Sequence, residues 1–286
     1  MRKSPLLMLP LLLVGCEVHR SSTADWVQVS AGEGHACGLE DDGSVVCWGE
    51  DDSGRLDVPD VVFDRVAAGA NHTCALDTDG VAACWGLNHA GQTDAPAAEF
   101  VALAAGHFSS CGITPDDALV CWGTDSHPEG EFVDVALEMH MSCALRTDGT
   151  ADCWDGEDAP DEDGFVQIDV GEAHACALRD DGSVGCWGNR CEEHGNCDPP
   201  DTSLVQVTAG DYHTCGLTDD GEVLCWGCMG TSGLGLFSYD VDFGQCDPPA
   251  GTFTEVSAGS TFTCALRDDG RVLCWGNNSH GRANPP

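Results

Sequence analysis

One stretch of sequence, Ala68-Gly-Ala-Asn-His-Thr-Cys-Ala-Leu-Asp-Thr-Asp-Gly-Val-Ala-Ala-Cys-Trp-Gly86, decides the fold of this chain, because variants of it occur seven times in 286 residues. Every copy holds two cysteines that are ten residues apart, and a tryptophan always follows the second one. The steps from copy to copy are 37, 37, 32, 33, 39 and 49 residues. A repeat of this length is typical of architectures in which each unit buries its apolar face against its neighbours.

Each copy has the pattern of a β-hairpin. In the first copy, Asp42-Gly43 stands between two short apolar runs, and glycine accepts the positive φ that a tight turn requires. Folding the chain back at this turn sets Cys37 opposite Cys47, close enough for a disulfide that closes the hairpin. A zinc site is not expected, because its ligands usually stand two to four residues apart. We therefore predict seven bridges: Cys37–Cys47, Cys74–Cys84, Cys111–Cys121, Cys143–Cys153, Cys176–Cys186, Cys215–Cys225 and Cys264–Cys274.

A further strand precedes each hairpin. Segments such as residues 26–32 and 165–171 alternate apolar with polar residues, which predicts a strand with one buried face. A strand, a hairpin and a returning loop together form one blade of a β-propeller. We therefore predict an all-β chain. We also expect its first strand, residues 26–31, to complete the last blade, so that the two ends of the domain meet at one seam.

The repeats resemble those of the regulator of chromosome condensation family, whose pattern runs Ala-Gly-x-x-His-x-x-Ala-Leu, then Asp-Gly, then Trp-Gly-x-Asn-x-x-Gly. Residues 68–76, 85–92 and 275–281 match this pattern. The resemblance covers residues 26–286 and implies a seven-bladed β-propeller in that part of the chain. The cysteines depart from the family pattern, as they do in secreted bacterial versions. The loop after Trp154 is degraded, so we expect a shorter or looser fourth blade.

The N-terminal residues resemble a bacterial lipoprotein signal. A positive start is followed by ten apolar residues, which are too few to cross a bilayer as a helix, and the run ends at Cys16. We predict a signal peptide over residues 1–15, and a lipidated Cys16 with a polar tether over residues 16–25. The other eighteen cysteines all fall into local pairs, which is typical of an oxidising compartment. The predicted location is the bacterial cell envelope, at the outer membrane or the cell surface, with the lipid as the only membrane contact.

The charge of the chain limits its partners. The net charge is -38, from 49 acidic and 11 basic residues, so the surface repels nucleic acid and anionic lipid. Such a surface attracts basic proteins and divalent cations, but it is also that of a well-solvated protein in a salty habitat, which is the interpretation we favour. Many acidic residues stand in the hairpin turns of all repeats, so the sequence predicts no single acidic site.

Two repeated residue types invite a functional interpretation. Four copies place a histidine two residues before the first cysteine, at His35, His72, His174 and His213. Equivalent positions on different blades do not converge on one metal, so we expect a repeated hydrogen-bonding or packing role. The tryptophans after the second cysteines have identical spacing, which favours packing in the blade core over stacking on a carbohydrate.

Two enlarged loops break the repeat pattern, and both end in Cys-Asp-Pro-Pro. This shared ending predicts two further bridges, Cys191–Cys197 and Cys228–Cys246. His194 makes the first loop a metal-binding alternative, which export disfavours. The second loop is a candidate binding surface, with packing over the blade as the alternative. Its apolar residues are Met229, Leu234, Leu236, Phe237, Tyr239 and Phe243.

No catalytic motif is present in the sequence, and we expect neither an enzyme nor a cofactor. The founding members of the resembling family are exchange factors for a nuclear GTPase and bind chromatin, which export and this charge do not permit. Other members, including a secreted inhibitor of β-lactamases, grip a protein with one face of the propeller. The resemblance therefore implies a monomeric protein-binding module whose partner lies in the cell envelope or outside the cell. The alternatives are a structural envelope or surface protein and a carbohydrate-binding propeller.

Overall fold

The computed structural model describes residues 25–124, 126–189, 191, 195–228, 231–232, 239–240 and 242–286. The predicted signal peptide and Cys16 lie outside these residues. Apart from one 3₁₀ helix at Ser279–Gly281, all regular elements that we describe are strands. None of the helices in the described part of the chain has the length and apolar character needed to cross a membrane.

Seven three-stranded antiparallel sheets follow one another along the chain, and they are the blades of the predicted all-β propeller. Blades 1 to 4 consist of β1 Trp26–Ala31, β2 His35–Glu40, β3 Val45–Gly49; β4 Phe63–Ala68, β5 His72–Asp77, β6 Ala82–Gly86; β7 Ala102–Ala105, β8 Ser109–Ile113, β9 Leu119–Gly123; and β10 Phe132–Leu137, β11 Ser142–Arg146, β12 Ala151–Trp154. Blades 5 to 7 consist of β13 Phe165–Val170, β14 Ala175–Arg179, β15 Val184–Trp187; β16 Gln206–Ala209, β17 Thr214–Leu217, β18 Val223–Trp226; and β21 Phe253–Ala258, β22 Phe262–Arg267, β23 Val272–Gly276. A short pair, β19 Thr231–Ser232 and β20 Tyr239–Asp240, lies in the enlarged loop between blades 6 and 7.

The hairpin of each blade has the predicted register. In blade 1, Cys37 pairs with Cys47 and Leu39 with Val45. The Cα atoms of the two cysteines are 4.0 Å apart and their sulfur atoms are bonded. The other six blades carry the same bridge, so the prediction of one disulfide per blade is confirmed. The third copy lacks the turn glycine, and Asp117 adopts the positive φ of 64° in its place.

The apolar core lies between the blades rather than within them. Between blades 1 and 2, for example, Leu39 and Val45 pack with Phe63 and Val66. Seven such clusters occupy the seven interfaces, and the last of them joins blade 7 to blade 1. Each buried aromatic residue contributes on the order of 2 kcal/mol of hydrophobic stabilisation. The ring therefore depends on every blade having two neighbours.

The seam of the ring differs from our expectation. Strand β1 pairs with β2 in the sheet of blade 1, and the sheet of blade 7 is complete with β21, β22 and β23, so the first strand does not complete the last blade. It packs against that blade instead, where Val29 contacts the cluster around Phe262. The two ends of the domain do meet there, because Trp26 N donates to Gly270 O at 3.4 Å and the last loop reaches blade 1.

In most blades, a hydrogen bond from the repeated tryptophan ties the blade to the loop that precedes it. The indole N–H of Trp85 donates to Arg55 O at 2.9 Å, and the equivalent bonds run from Trp122 to Gln92, Trp226 to Asn196 and Trp275 to Gln245. The loops after blades 3 and 4 are shorter. Among the described residues, the indole nitrogens of Trp154 and Trp187 have no hydrogen-bond partner. The reduction predicted for the fourth repeat is thus found in the loops after blades 3 and 4, whereas the strands of blade 4 are as long as those of other blades.

Candidate functional site

A central channel runs through the ring and is lined by the first strand of every blade. Its cavity has a volume of about 300 Å³. We call the end of the channel at which these strands begin, beside the hairpin turns, the turn mouth. In each blade it is defined by the residue that follows the aromatic residue or leucine at the start of the first strand: Val27, Asp64, Val101, Val133, Val166, Val205 and Thr254. We call the opposite end, from which the loops after Trp-Gly depart, the loop mouth, and define it by Glu33, Ala70, His107, Glu138, Glu172, Asp211 and Ser260.

Inside the channel, side chains of one blade bind the free backbone edge of the next. The Gln28 amide donates to Val66 O at 3.1 Å and accepts from Val66 N at 2.9 Å. Gln206 makes the same two bonds with Val256, both at 3.0 Å. Two positions per strand point inward, because alternate residues of a strand face the same side. The first strands of neighbouring blades do not pair with each other. These side chains supply the hydrogen bonds that their backbone groups would otherwise lack.

Three carboxyl groups have the same role as these amides. Asp134 Oδ2 accepts from Ile168 N at 3.0 Å, Asp169 Oδ2 from Ala209 N at 2.9 Å, and Glu255 Oε2 from Val29 N at 3.1 Å. Loss of water inside the channel raises the pKa of Asp134 and Glu255 to about 7 and that of Asp169 to about 6, although the N–H donors oppose this. The channel wall is therefore polar but only partly charged at neutral pH.

The loop mouth holds the densest group of carboxylates. Glu138 and Asp211 stand on different blades, and both have a pKa raised above the usual range, first by desolvation and then by other carboxylates, Glu33 and Glu172. Asp211 Oδ2 also accepts from the Ser260 hydroxyl at 2.5 Å. His107 Nδ1 lies 3.8 Å from Glu33 Oε2, and the Arg282 guanidinium donates to Glu33 O at 2.9 Å. This end of the channel is therefore an acidic opening whose Glu138 and Asp211 carboxyl groups hold their protons more firmly than exposed ones do.

Glycines allow the blades to come this close at the loop mouth. A Cβ atom on Gly210 would meet the backbone carbonyl oxygen of Gly259, and one on Gly32 would meet that of Gly69. The recurring Ala-Gly of the repeat therefore stands where the first strands converge, and any side chain would push neighbouring blades apart. The narrow opening brings the mouth carboxylates together.

The recurring histidines hold neighbouring blades together, as expected. His35 Nε2 lies 2.7 Å from Thr73 Oγ1, and His213 Nε2 lies 2.8 Å from Thr263 Oγ1, each on the next blade. Burial lowers the pKa of His35 and His213 to about 3 and that of His72 to about 4. His35, His72 and His213 are therefore neutral at neutral pH, and each binds the next blade through Nε2, while Nδ1 has no hydrogen-bond partner among the described residues. Among the described residues, no group of His, Cys, Asp or Glu has a geometry that would hold a metal ion.

The tryptophans lie in the core between blades. Trp48, Trp85 and Trp122 are buried, and the Phe63 and Trp85 ring centroids are 5.9 Å apart. The remaining tryptophans of the repeat are half-buried at equivalent places. None of the seven tryptophans of the repeat is exposed, so the geometry favours the packing role.

The enlarged loops begin at the loop mouth. Gly188 approaches Ala173 and His174, which lie between the first two strands of blade 5, and Gly227 approaches Asn196. The structure joins Cys191 to Cys197 and Cys228 to Cys246. Among the proposed binding residues, Phe243 is exposed and Tyr239 lies in β20, whereas Met229, Leu234, Leu236 and Phe237 are outside the described residues, as is His194.

The sequence predicts no single acidic site, because many acidic residues stand in the Asp-Gly turns. The acidic loop mouth is an exception that arises only when the ring closes. Glu33, Glu172 and Asp211, however, all follow the Ala-Gly or Val-Gly that ends a first strand. When the blades close into a ring, residues at the same position of each repeat form one ring of side chains. The shared position of these acidic residues in the repeat is the sequence signal for the acidic loop mouth.

Comparison with known proteins agrees with this geometry. The profile of the regulator of chromosome condensation (RCC1) repeat matches residues 26–55, 63–92, 165–195, 204–233 and 253–282. The two copies outside these matches are the ones followed by the shorter loops. No curated protein sequence matches the chain.

Several solved structures share the fold. The CRINKLY WD40 ectodomain of the receptor kinase ACR4 from Arabidopsis thaliana is 24% identical with a TM-score of 0.73, over 90% of this chain and 97% of that one. The entire ectodomain of the receptor kinase CR4 from Physcomitrella patens is also 24% identical, with a TM-score of 0.71 over 89% and 74% of the chains. Prp20p from Saccharomyces cerevisiae, which binds Gsp1p and histones, is 17% identical with a TM-score of 0.51 over 91% and 74%.

Proposed function

Because this chain belongs to the regulator of chromosome condensation (RCC1) repeat family, we propose that it is a propeller that binds a protein partner through its loop mouth and performs no catalysis itself. The partner would lie in the cell envelope or outside the cell, and the chain would act as a monomer. Nine disulfides are typical of a protein that folds in an oxidising compartment. Amide and carboxyl groups inside the channel, such as those of Gln28, Asp134 and Asp169, bind the backbone of the next blade, which favours binding over chemistry.

One observation carries this proposal: the disulfide-pinned loops of blades 5 and 6 begin at the loop mouth, beside its carboxylates. Three apolar side chains are exposed on the loops at this end, Phe108 at 38%, Met139 at 43% and Phe243 at 48%. Phe108 and Met139 stand between the first and second strands of blades 3 and 4. Apolar side chains around an acidic centre suit a protein surface that combines basic and apolar residues.

We further propose that Cys16 carries the lipid and that residues 17–25 tether the propeller to the envelope, with residues 1–15 removed as a signal peptide. The sequence pattern at Cys16 supports this part of the proposal. Expression of the full chain with a labelled fatty acid, followed by mass spectrometry of the mature N-terminus, tests it. The variant Cys16→Ser should lose the label and leave the membrane fraction, and an unlabelled N-terminus elsewhere would rule the anchor out.

The experiment for the binding site is a loop deletion in the tagged full-length protein. The deletion should remove residues 229–241 only, because Gln245 is buried and its carbonyl accepts from Trp275 Nε1 and Thr263 Oγ1. A short glycine-serine linker would preserve the Cys228–Cys246 bridge. Proteins retained after in-cell crosslinking are then identified by mass spectrometry, with the exposed substitution Val62→Ser as the matched control.

A single partner that is retained by the full-length protein and by Val62→Ser, but lost from the deletion variant, is the expected result. Diffuse crosslinks to abundant envelope proteins, unchanged by the deletion, would contradict it and favour the structural role. Quenching of tryptophan fluorescence by sugars would favour the carbohydrate-binding alternative.

A further inference from the structure

Exposed valines surround the turn mouth, and packing between the blades does not require them. Five of its seven residues are valine, and about half of each side chain is exposed: Val27 50%, Val101 48%, Val133 50%, Val166 53% and Val205 53%. On a chain with a net charge of -38, a regular arrangement of half-exposed apolar side chains around one opening is unusual.

The fold itself accepts polar residues at these positions. Blades 2 and 7 have Asp64 and Thr254 there, and both are exposed. In most blades the residue is also the extra residue of a β-bulge, since the register shifts between Phe165 and Gln167 and at the equivalent places. A bulge turns this side chain out of the sheet. Packing between blades therefore does not explain the valines.

The valines of several blades border one depression. Val27, Val166 and Val205 line it from blades 1, 5 and 6, with Leu178 and Leu217 beside them and Glu255 among its polar residues. Its volume is about 660 Å³, which is enough for one large apolar side chain and the residues on either side of it.

Acidic turns surround this depression. Leu204 N, next to Val205, donates to Gly182 O at 2.9 Å, and Gly182 ends the turn that contains the exposed Asp180 and Asp181. The same bond joins Phe253 to Gly221 after Asp219-Asp220, and Trp26 to Gly270 after Asp268-Asp269. Each mouth residue therefore stands beside an acidic turn of the preceding blade.

Nearby arginines neutralise the acidic turns only in part, because Arg267 and Arg271 both pair with one aspartate of one turn, Asp269. Arg179 is paired with Glu162 and lies over the Phe165 ring, 4.6 Å from its centroid. Arg267 Nη2 lies 3.6 Å from Asp269 Oδ2. The turn mouth thus combines an apolar centre with a negative rim.

From this arrangement we propose that the turn mouth is a second binding site, which takes a polypeptide segment with one apolar side chain flanked by lysine or arginine. The apolar side chain enters among the valines, and the flanking cations face the aspartates of the turns. Charge complementarity selects this occupant. A nucleic acid or an anionic membrane would be repelled by the same rim. The site lies at the opposite end of the channel from the loops discussed above and does not depend on them.

The test uses the full-length protein and a labelled peptide, acetyl-Gly-Lys-Arg-Leu-Arg-Lys-Gly-amide, with fluorescence anisotropy as the readout. One control peptide has serine in place of leucine, and another has glutamate in place of the four basic residues. The double variant Val166→Ser with Val205→Ser removes apolar surface from the mouth. Val62→Ser with Val81→Ser is its matched control, because both valines are exposed and neither lines the depression.

A second pair of variants tests the rim. Asp219→Asn with Asp268→Asn removes charge from two turns at the mouth. Asp52→Asn with Asp158→Asn removes the same charge from exposed loop positions after blades 1 and 4. We expect salt to weaken the binding, because exposed charges are screened.

We expect saturable binding of the leucine peptide, weakened about tenfold or more by the mouth valine variant and by leucine-to-serine exchange, since each removes one buried apolar contact. The rim variant should weaken binding more than its control. The proposal is overturned if no binding occurs at about 1 mM peptide, a concentration at which even weak complexes form. Equal binding of the leucine and serine peptides would also overturn the proposal. So would retention of the protein on phosphatidylcholine vesicles that depends on Val166 and Val205 and occurs without peptide binding.

Discussion

The indole Nε1 of Trp48 donates a hydrogen bond of 2.9 Å to the carbonyl oxygen of Arg282, across 234 residues of sequence. The last loop thereby gives blade 1 the contact that blade 2 receives from Arg55. The ring is closed by a repeat of the ordinary contact between consecutive blades, and no strand is exchanged.

This contact predicts a difference between two substitutions of the same kind. Trp48→Phe removes an indole with a hydrogen bond, whereas Trp154→Phe removes one that has no partner among the described residues. We expect the first variant to lose about 1 kcal/mol more of the free energy of unfolding. Urea denaturation of both variants measures it, and an equal loss would show that the Arg282 contact does not stabilise the seam.

The interface histidines predict a specific acid sensitivity. His213 has a pKa of about 3 in the folded protein, so between pH 6.5 and 3 the unfolded chain binds a proton that the folded protein does not. Wild-type stability therefore falls as the pH falls through this range. The variant His213→Phe has phenylalanine at this position, as blade 7 does at Phe262. Its free energy of unfolding should be lower than that of wild type at pH 7.5, and the difference should disappear by pH 4.5.

The measurement for this prediction is the urea midpoint of wild type and His213→Phe at both pH values. The exposed substitution His140→Phe is the matched control and should show no pH-dependent difference from wild type. A constant gap between wild type and His213→Phe would mean that the histidine does not resist protonation in the interface.

The loop mouth predicts the opposite pH dependence. Because the pKa of Glu138 is raised, the folded state holds a proton that the unfolded state releases, and stability is lost as the pH rises through the folded pKa. Glu138→Gln cannot ionise and should gain stability over wild type between pH 5 and pH 8. Thermal unfolding at both pH values tests this, with the exposed Glu129→Gln as control. The same effect at both pH values would contradict the raised pKa.

Much of the fold could be predicted from the sequence, because its repeat is strict. The ten-residue cysteine spacing and the central Asp-Gly were enough to predict the pairing of Cys37 with Cys47, and Trp26 was correctly placed in a strand before the first hairpin. The seam was wrong because the sequence shows which strands exist but not which neighbour each one pairs with. Arg282 makes the seam contact with blade 1 through its backbone oxygen. A backbone contact of this kind cannot be recognised from the pattern of side chains in the sequence.

The candidate site was less predictable from the sequence. In the sequence, Asp211 directly after Gly210 does not differ from the other acidic residues. Only closure of the ring brings its carboxyl group close to that of Glu138. The histidine partners Thr73 and Thr263 were also hidden, because each is 38 or 50 residues away on another blade. Both features depend on the closed ring rather than on any local pattern.

The disulfides predict an order of reduction in the native protein. Each of the seven blade bridges has a fully buried first cysteine, such as Cys37, and a half-buried second one, such as Cys47, whereas Cys191 and Cys197 are both half-buried. Thiolate attack requires access to a sulfur atom, so mild dithiothreitol should open Cys191–Cys197 before the blade bridges. Alkylation and peptide mapping over time give the order. Early loss of blade bridges would show that the blades open more readily than this structure implies.

The most direct test of the proposed function is photo-crosslinking in cells from a single position of the full-length protein. A photoreactive phenylalanine analogue at Phe243 samples the loop mouth, and the same analogue at the exposed Val81 samples another surface. We predict one dominant crosslinked protein from position 243 that is absent from position 81. The same faint set of proteins from both positions would contradict the claim that the loop mouth is a recognition surface.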